Sequence, residues 1–127
     1  MWDKKQPEKV SFAMAELIYT SFTHTAKIIS CSRSEIGNKI SNNKQLAKAN
    51  PNKKIHPTQK PVSIYKELLN RYAKEDFKII DPNHGSGSLS IACHDFNYEL
   101  VACELDVDHY NDSIERIKNH ISQLKLF

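Results

Sequence analysis

The sequence predicts an α/β fold built on a parallel sheet, and three observations predict it. An apolar run, Phe77-Lys78-Ile79-Ile80, leads directly into the turn-forming segment Asp81-Pro82-Asn83-His84-Gly85-Ser86-Gly87-Ser88. A second strand-like run, Glu99-Leu100-Val101-Ala102-Cys103, ends on Glu104, nineteen residues after Gly85. Two helix-period stripes flank this unit, Val62, Tyr65, Leu68, Leu69 and Tyr72 before it and Tyr110, Ile114, Ile117, Ile121 and Leu124 after it. Strand, glycine loop, helix, strand and terminal acid is the layout of a nucleotide-type site at the carboxyl ends of parallel strands.

Each element follows from local chemistry. Residues 1–11 are polar and carry no periodic pattern. Leu17 to Phe22 and Ala26 to Ser32 are β-branched and aromatic runs separated by Thr23-His24-Thr25, which reads as an antiparallel hairpin. Residues 34–52 are rich in Asn, Ser and Lys and are punctuated as loop by Gly37-Asn38, Asn42-Asn43 and Asn50-Pro51-Asn52, with one helical turn expected over Gln45 to Ala49. Pro61 has the fixed φ suited to a helix start, so a helix is expected over Pro61 to Ala73. Strand Phe77 to Ile80, helix Ser88 to Phe96, strand Glu99 to Cys103 and helix Val107 to Gln123 complete the order. The last helix is expected to lay its Tyr110–Leu124 stripe on the sheet. The chain divides as a single domain into a hairpin region (1–33), a Lys/Asn-rich loop (34–54) and a nucleotide-binding half (55–127).

Composition narrows the classes. At 127 residues there is room for one ordinary domain with a modest core. No apolar run approaches the roughly 20 residues that span a bilayer, and the first residues do not lead into a signal-peptide core. A cytoplasmic location with no membrane contact is the expectation. Cys31, Cys93 and Cys103 are odd in number without Cys-x-x-Cys spacing, so reduced thiols fit better than disulfides or zinc, with Cys93 and Cys103 as small core residues. No clustering of His with acids suggests a metal. The net charge of +3 hides an asymmetry: from Ile36 to Lys66 there is no acid, while Lys39, Lys44, Lys48, Lys53, Lys54, Lys60 and Lys66 are all positive. Such a run is either a solvated face or a segment lying along a phosphate backbone, where binding is salt-dependent.

The glycine loop is neither a P-loop, since no Lys follows Gly87, nor a full GxGxxG. Gly85 and Gly87 permit close backbone approach to a ligand, and the helix beginning near Ser88 offers free N–H groups at its positive end. Glu104 is placed to take two ribose hydroxyls. Asp106 either flanks the base or caps the last helix. His56 and His84 carry no assigned role.

Just upstream lies Ile55-His56-Pro57-Thr58-Gln59-Lys60-Pro61-Val62. His-Pro-Thr-Gln-Lys-Pro, then a helix, then a strand ending in Asp-Pro-x-x-Gly-Ser-Gly, resembles the permuted class of amino-methylating DNA methyltransferases. Those enzymes transfer a methyl group from S-adenosylmethionine (SAM) to adenine N6 or cytosine N4. The match is closest from Ile55 to Arg116, and weaker over Trp2-Asp3-Lys4 and over Phe12 to Phe22, where Ala15-Glu16 falls in an apolar segment. Asn83 stands where the family usually has Phe. The resemblance implies a Rossmann-like methyltransferase sheet. It gives Thr58 and Lys60 to the SAM carboxylate, Asp81 to its methionine end, Gly85, Ser86 and Gly87 to the loop around it, and Glu104 to its ribose. It makes double-stranded DNA the partner, with Lys39, Lys44, Lys48, Lys53 and Lys54 along the backbone.

The family's catalytic motif, Asp/Asn/Ser-Pro-Pro-aromatic, orients the target amine and stacks on a flipped base. Here the prolines are Pro7, Pro51, Pro57, Pro61 and Pro82, and no two are adjacent. No catalytic residue is therefore assigned. The expectation is a carboxyl-terminal part of such an enzyme, beginning after the catalytic strand and inactive alone. Adenine N6 is favoured over cytosine N4, and the partner is the catalytic half or a second copy of the chain. A non-catalytic nucleic-acid-binding module built on the Lys-rich loop is the second reading. A dinucleotide-binding oxidoreductase domain is a third, which the His-Pro-Thr-Gln-Lys-Pro motif argues against.

Overall fold

The computed structural model of the protein describes residues 1–3, 15–23, 25, 27–31 and 55–123. The loop lysines Lys39, Lys44, Lys48, Lys53 and Lys54, and the turn expected over Gln45 to Ala49, lie outside the described residues.

The elements are β1 (Trp2–Asp3), β2 (Ala15–Glu16), β3 (Ile29–Ser30), α1 (Val62–Tyr72), β4 (Lys78–Asp81), α2 (Ser88–Phe96), β5 (Glu99–Ala102) and α3 (Val107–Ile121). The expected helices and strands of the second half are present within one or two residues of their predicted ends. β4 and β5 pair in parallel, Lys78 opposite Glu99 and Asp81 opposite Ala102. This places the Gly loop and Glu104 at neighbouring carboxyl ends, as the strand–helix–strand order requires.

The first half departs from expectation. The expected hairpin does not form: Leu17 to Phe22 is not a strand, β2 precedes it at Ala15–Glu16, and β1 lies between β2 and β3, antiparallel to the first and parallel to the second. Trp2 explains the insertion. Its indole is 2% exposed and sits among Ile29, Cys31 and Ile64, while Nε1 donates to the Cys31 carbonyl at 2.9 Å. Burying one large aromatic with its polar handle satisfied outweighs what a short hairpin of alternating residues gains.

α1 connects the two layers. Ile64, with Leu68, packs on the Trp2 cluster, while Val62 and Leu69 pack on Ile91, Ala92 and Cys93 of α2. Phe22 stacks on Tyr72 at 5.2 Å between ring centroids. α2 ends at Asn97, which takes the left-handed conformation (φ 60°), and Tyr98 N–H closes back on the Cys93 carbonyl at 2.9 Å.

α3 also departs from its predicted face. Its buried residues are Ser113 and Arg116, with Ile117 partly buried, whereas Tyr110 and Ile121 of the apolar stripe are 48% and 52% exposed. The helix turns its Ser113–Arg116–Ile117 side to α2 and the Gly loop, because Arg116 and Ile117 have partners there. Cys103 is exposed rather than in the core. Cys93 is buried, and loss of hydration pushes its thiol up to about 11, so it packs as an unreactive apolar group. Among the described residues no helix is long and apolar enough to cross a membrane, and no group of three or more His, Cys, Asp or Glu side chains is arranged to hold a metal ion.

Candidate ligand cleft

The Gly loop is shaped by two left-handed glycines with different surroundings. Gly85 (φ +54°) faces open space: a Cβ there meets only the Asn83 carbonyl oxygen, at 3.8 Å. Gly87 (φ +71°) caps α2 and is packed, with a Cβ falling 3.0 Å from Ile117 Cδ1 and 3.2 Å from His84 Nε2. Gly85→Ala and Gly87→Ala both incur backbone strain of about 1 kcal/mol or more. The added contact makes Gly87→Ala the more destabilising, by about 2–3 kcal/mol in chemical denaturation, with Gly85→Ala nearer 1.

A cleft of about 320 Å³ opens above this loop, within the range of small-ligand sites. It is lined by Thr58, Gln59 and Lys60 from the loop before α1 and by Gly85, Glu104 and Leu105 from the carboxyl ends of β4 and β5. Ser86 and Ser88 line its floor, with Tyr65 from α1. The structure thus brings together five of the seven sequence-predicted cofactor residues: Thr58, Lys60, Gly85, Ser86 and Glu104. Asp81 and Gly87 do not line it. The Asp81 carboxylate accepts from Asn83 N–H at 3.0 Å and shapes the turn, though its charge acts on Tyr65 and His84 nearby. Gly87 faces Ile117 and His84, so its glycine is required by packing.

Glu104 is fixed by backbone donors. Gly85 N–H donates to Oε2 at 2.7 Å, and Asp106 N–H donates to Oε1 at 3.0 Å. The Asp106 and Gly85 amides hold the carboxyl below its ordinary range. The Leu105 amide acts on it as well, and an ionised carboxylate with about four acceptor positions keeps room for a further hydroxyl donor. Asp106 resolves as the helix cap, its Oδ1 accepting from His109 N–H at 2.9 Å.

Lys60 Nζ lies 3.7 Å from Glu16 Oε2, with both side chains about 40% exposed. The Ala15-Glu16 segment is therefore brought to the cleft rim. Gln59, 5% exposed, accepts from Ile55 N–H through Oε1 at 2.9 Å and fixes the loop. Thr58 turns its hydroxyl and amide to His56 Nδ1, and the His56 ring meets His109 edge-on at 4.3 Å. His84 is buried beneath the loop beside Ser90 Oγ at 3.3 Å, and desolvation lowers its basicity, so it stays neutral near pH 7.

Sequence reasoning missed Arg116 and the Ser88 hydroxyl. Arg116 is 5% exposed and donates through Nη1 to the Ser86 carbonyl at 2.5 Å and to Ser88 Oγ at 3.0 Å. Burial pulls its guanidinium down to about 10, which still leaves it charged at neutral pH. Arg116 lies off the Tyr110–Leu124 stripe, on the Ser113 side of α3, so no local pattern marked it.

Parallel strands with a glycine loop at one carboxyl end and an acid at the next reproduce the strand–loop–helix–strand–acid layout that the sequence predicted. The chain belongs to the DNA methylase family of N6 and N4 methyltransferases, whose model matches residues 2–115. It is 29% identical over 73 residues to the type II methyltransferase M.HpaI of Haemophilus parainfluenzae, covering 58% of this chain and 23% of that protein. It is 31% identical over 65 residues to the type II methyltransferase M.HindIII of Haemophilus influenzae, covering 51% of this chain and 21% of that one. The chain thus spans less than a quarter of the length of either relative. No solved structure matches the chain.

Proposed function

We propose that the cleft binds SAM and that the chain is the cofactor-holding part of a type II DNA methyltransferase that modifies adenine N6, with cytosine N4 as the alternative target. The observation that carries this reading is the cleft itself. Three segments distant in sequence place a cation (Lys60), an open glycine approach (Gly85) and a pre-oriented carboxylate (Glu104) around one volume. That donor set fits a dipolar amino acid joined to a nucleoside: Lys60 suits the carboxylate, and Glu104 the ribose diol. SAM supplies an electrophilic methyl group when bound. The residues of this chain bind and orient it, and no pair of adjacent prolines with an aromatic is present to orient a target amine. Membership of a type II system would place a sequence-specific endonuclease in the same cell. The lysines at 39, 44, 48, 53 and 54 are assigned to the DNA backbone by charge alone.

Calorimetry with S-adenosylhomocysteine tests the reading. Wild type is expected to bind, and Glu104→Ala to lose at least about tenfold in affinity. Equal affinity in the two proteins refutes the ribose role. The chain alone is expected to leave labelled SAM untransferred to mixed-sequence DNA, and label on adenine would require a catalytic element this sequence does not display. Steeply salt-dependent DNA binding without any SAM binding would instead favour the non-catalytic module.

A further inference from the structure

We propose that Ser88, held by Arg116, is a positioning residue that fixes the spacing between the Lys60 segment and the Gly loop, both of which line the cleft. The inference rests on the cofactor reading above. The Ser88 hydroxyl donates to the Lys60 carbonyl at 2.9 Å, accepts from Arg116 Nη1 at 3.0 Å and lies 3.2 Å from Ser86 Oγ. A hydroxyl has one proton and two lone pairs. The Lys60 carbonyl can only accept, so it takes the proton, and Arg116 can only donate, so it takes one lone pair. Ser86 Oγ–H must then be the donor to the other. Every hydrogen-bonding position of Ser88 is used, and its partners come from three separate segments: the loop before α1, the Gly loop and α3.

The consequence is geometric. Lys60 belongs to the segment suited to the amino-acid part of the ligand. Ser86 directly follows Gly85, whose N–H is bonded to Glu104, the residue suited to the ribose. Ser88 is 3% exposed, and Arg116 ties the same hydroxyl to the Ser86 carbonyl from across α3. The bonds from Ser88 to Lys60 and from Arg116 to Ser86 span 28 and 30 residues of sequence. A buried guanidinium is a costly device, and an apolar side chain of similar volume often stabilises a fold as well. Arg116 does what an apolar residue there cannot: it holds a carbonyl and a hydroxyl at one fixed separation.

A ligand that contacts both segments should sense this spacing, and one that contacts only the Gly loop and Glu104 should not. Calorimetry on the full chain compares S-adenosylhomocysteine with 5′-methylthioadenosine, which lacks the amino-acid end. Ser88→Ala is expected to weaken S-adenosylhomocysteine by about tenfold and 5′-methylthioadenosine by less than about twofold. Ser88→Thr, which keeps the hydroxyl, is expected to restore the first ligand. Arg116→Lys is expected to show the same selective loss, and the double variant no more than the larger single loss, because the two side chains act as one unit. A loss shared equally by both ligands, or losses that add, overturns the proposal in favour of a general packing role. Should Arg116→Lys fail to fold, the Ser88 pair decides the question alone. Wild type that binds neither ligand overturns the cofactor reading and this proposal with it.

Discussion

Light scattering across a concentration series is expected to give a mass that rises above the 14.6 kDa of one chain. Among the described residues β4 pairs only with β5, and neither β2 nor β3 reaches its other edge. An apolar groove of about 920 Å³ is lined by Leu17, Tyr19, Phe22, Ile28, Phe77 and Ile79 among others. Tyr19 is 87% exposed, and on the sheet itself Ile80 is 74% exposed. Unpaired edges and contiguous apolar surface seek partners, by strand addition or by association. Covering a large apolar side chain stabilises by about 1.5–3 kcal/mol, so a few of them rival a domain's margin of about 5–15 kcal/mol. Ile28→Lys with Tyr19→Lys is expected to lower the mass toward the monomer. A monomer at every concentration, with cooperative unfolding, would show that the edge and groove are already satisfied. The catalytic half of such an enzyme, supplied as a second polypeptide, is expected to compete with self-association if it occupies the same groove.

Asp95→Asn is expected to be the most destabilising single polar substitution. The Asp95 side chain, 8% exposed, joins three helices: it accepts from Lys66 Nζ of α1 at 2.6 Å and from His120 Nε2 of α3 at 2.8 Å, while itself standing on α2. Removing one member of a buried pair costs about 3–5 kcal/mol, and partial exposure of Lys66 brings the expectation nearer 2–4. Burial alone would raise the Asp95 pKa, but hydrogen bonds from His120 and Lys66 outweigh it and hold the carboxyl well below the usual carboxylate range. The sign follows. A carboxyl depressed in the folded state binds fewer protons there than in the unfolded chain, so its stabilisation is fully present above the unfolded pKa of about 3.9 and is lost as pH falls below it. The difference in unfolding free energy between wild type and Asp95→Asn should therefore stay flat above about pH 5 and shrink below about pH 4. A difference that holds constant down to pH 2 would mean the charge is not what matters.

Lys66 also shows how far composition reaches. In the acid-free stretch from Ile36 to Lys66 it counts as one of seven positive charges, yet its charge is directed inward to Asp95. Lys60 likewise faces Glu16 at the cleft rim. Charge runs are visible in sequence, but the partners that neutralise them come from elsewhere in the chain.

The sequence by itself determined the second half of this protein: the parallel β4–β5 pair and the helices on either side of it. These features depend on hydrophobic period, turn residues and strand-end spacing, which act over a few residues or along one strand–helix–strand unit. Tertiary structure alone decided the rest. The run from Ala26 to Ser32 pairs through β3 with β1 rather than with Leu17 to Phe22, because the indole of Trp2 is buried against Ile29, Cys31 and Ile64. The last helix buries Arg116 while part of its apolar stripe stays exposed, because the Ser86 carbonyl and Ser88 hydroxyl offer the guanidinium what no neighbour on its own helix can. Gly87 is required by Ile117, thirty residues away, and Lys60 is linked to the Gly loop through a single hydroxyl. Such choices are contests among distant partners for the same buried space or the same donor, and local periodicity carries no information about which partner wins.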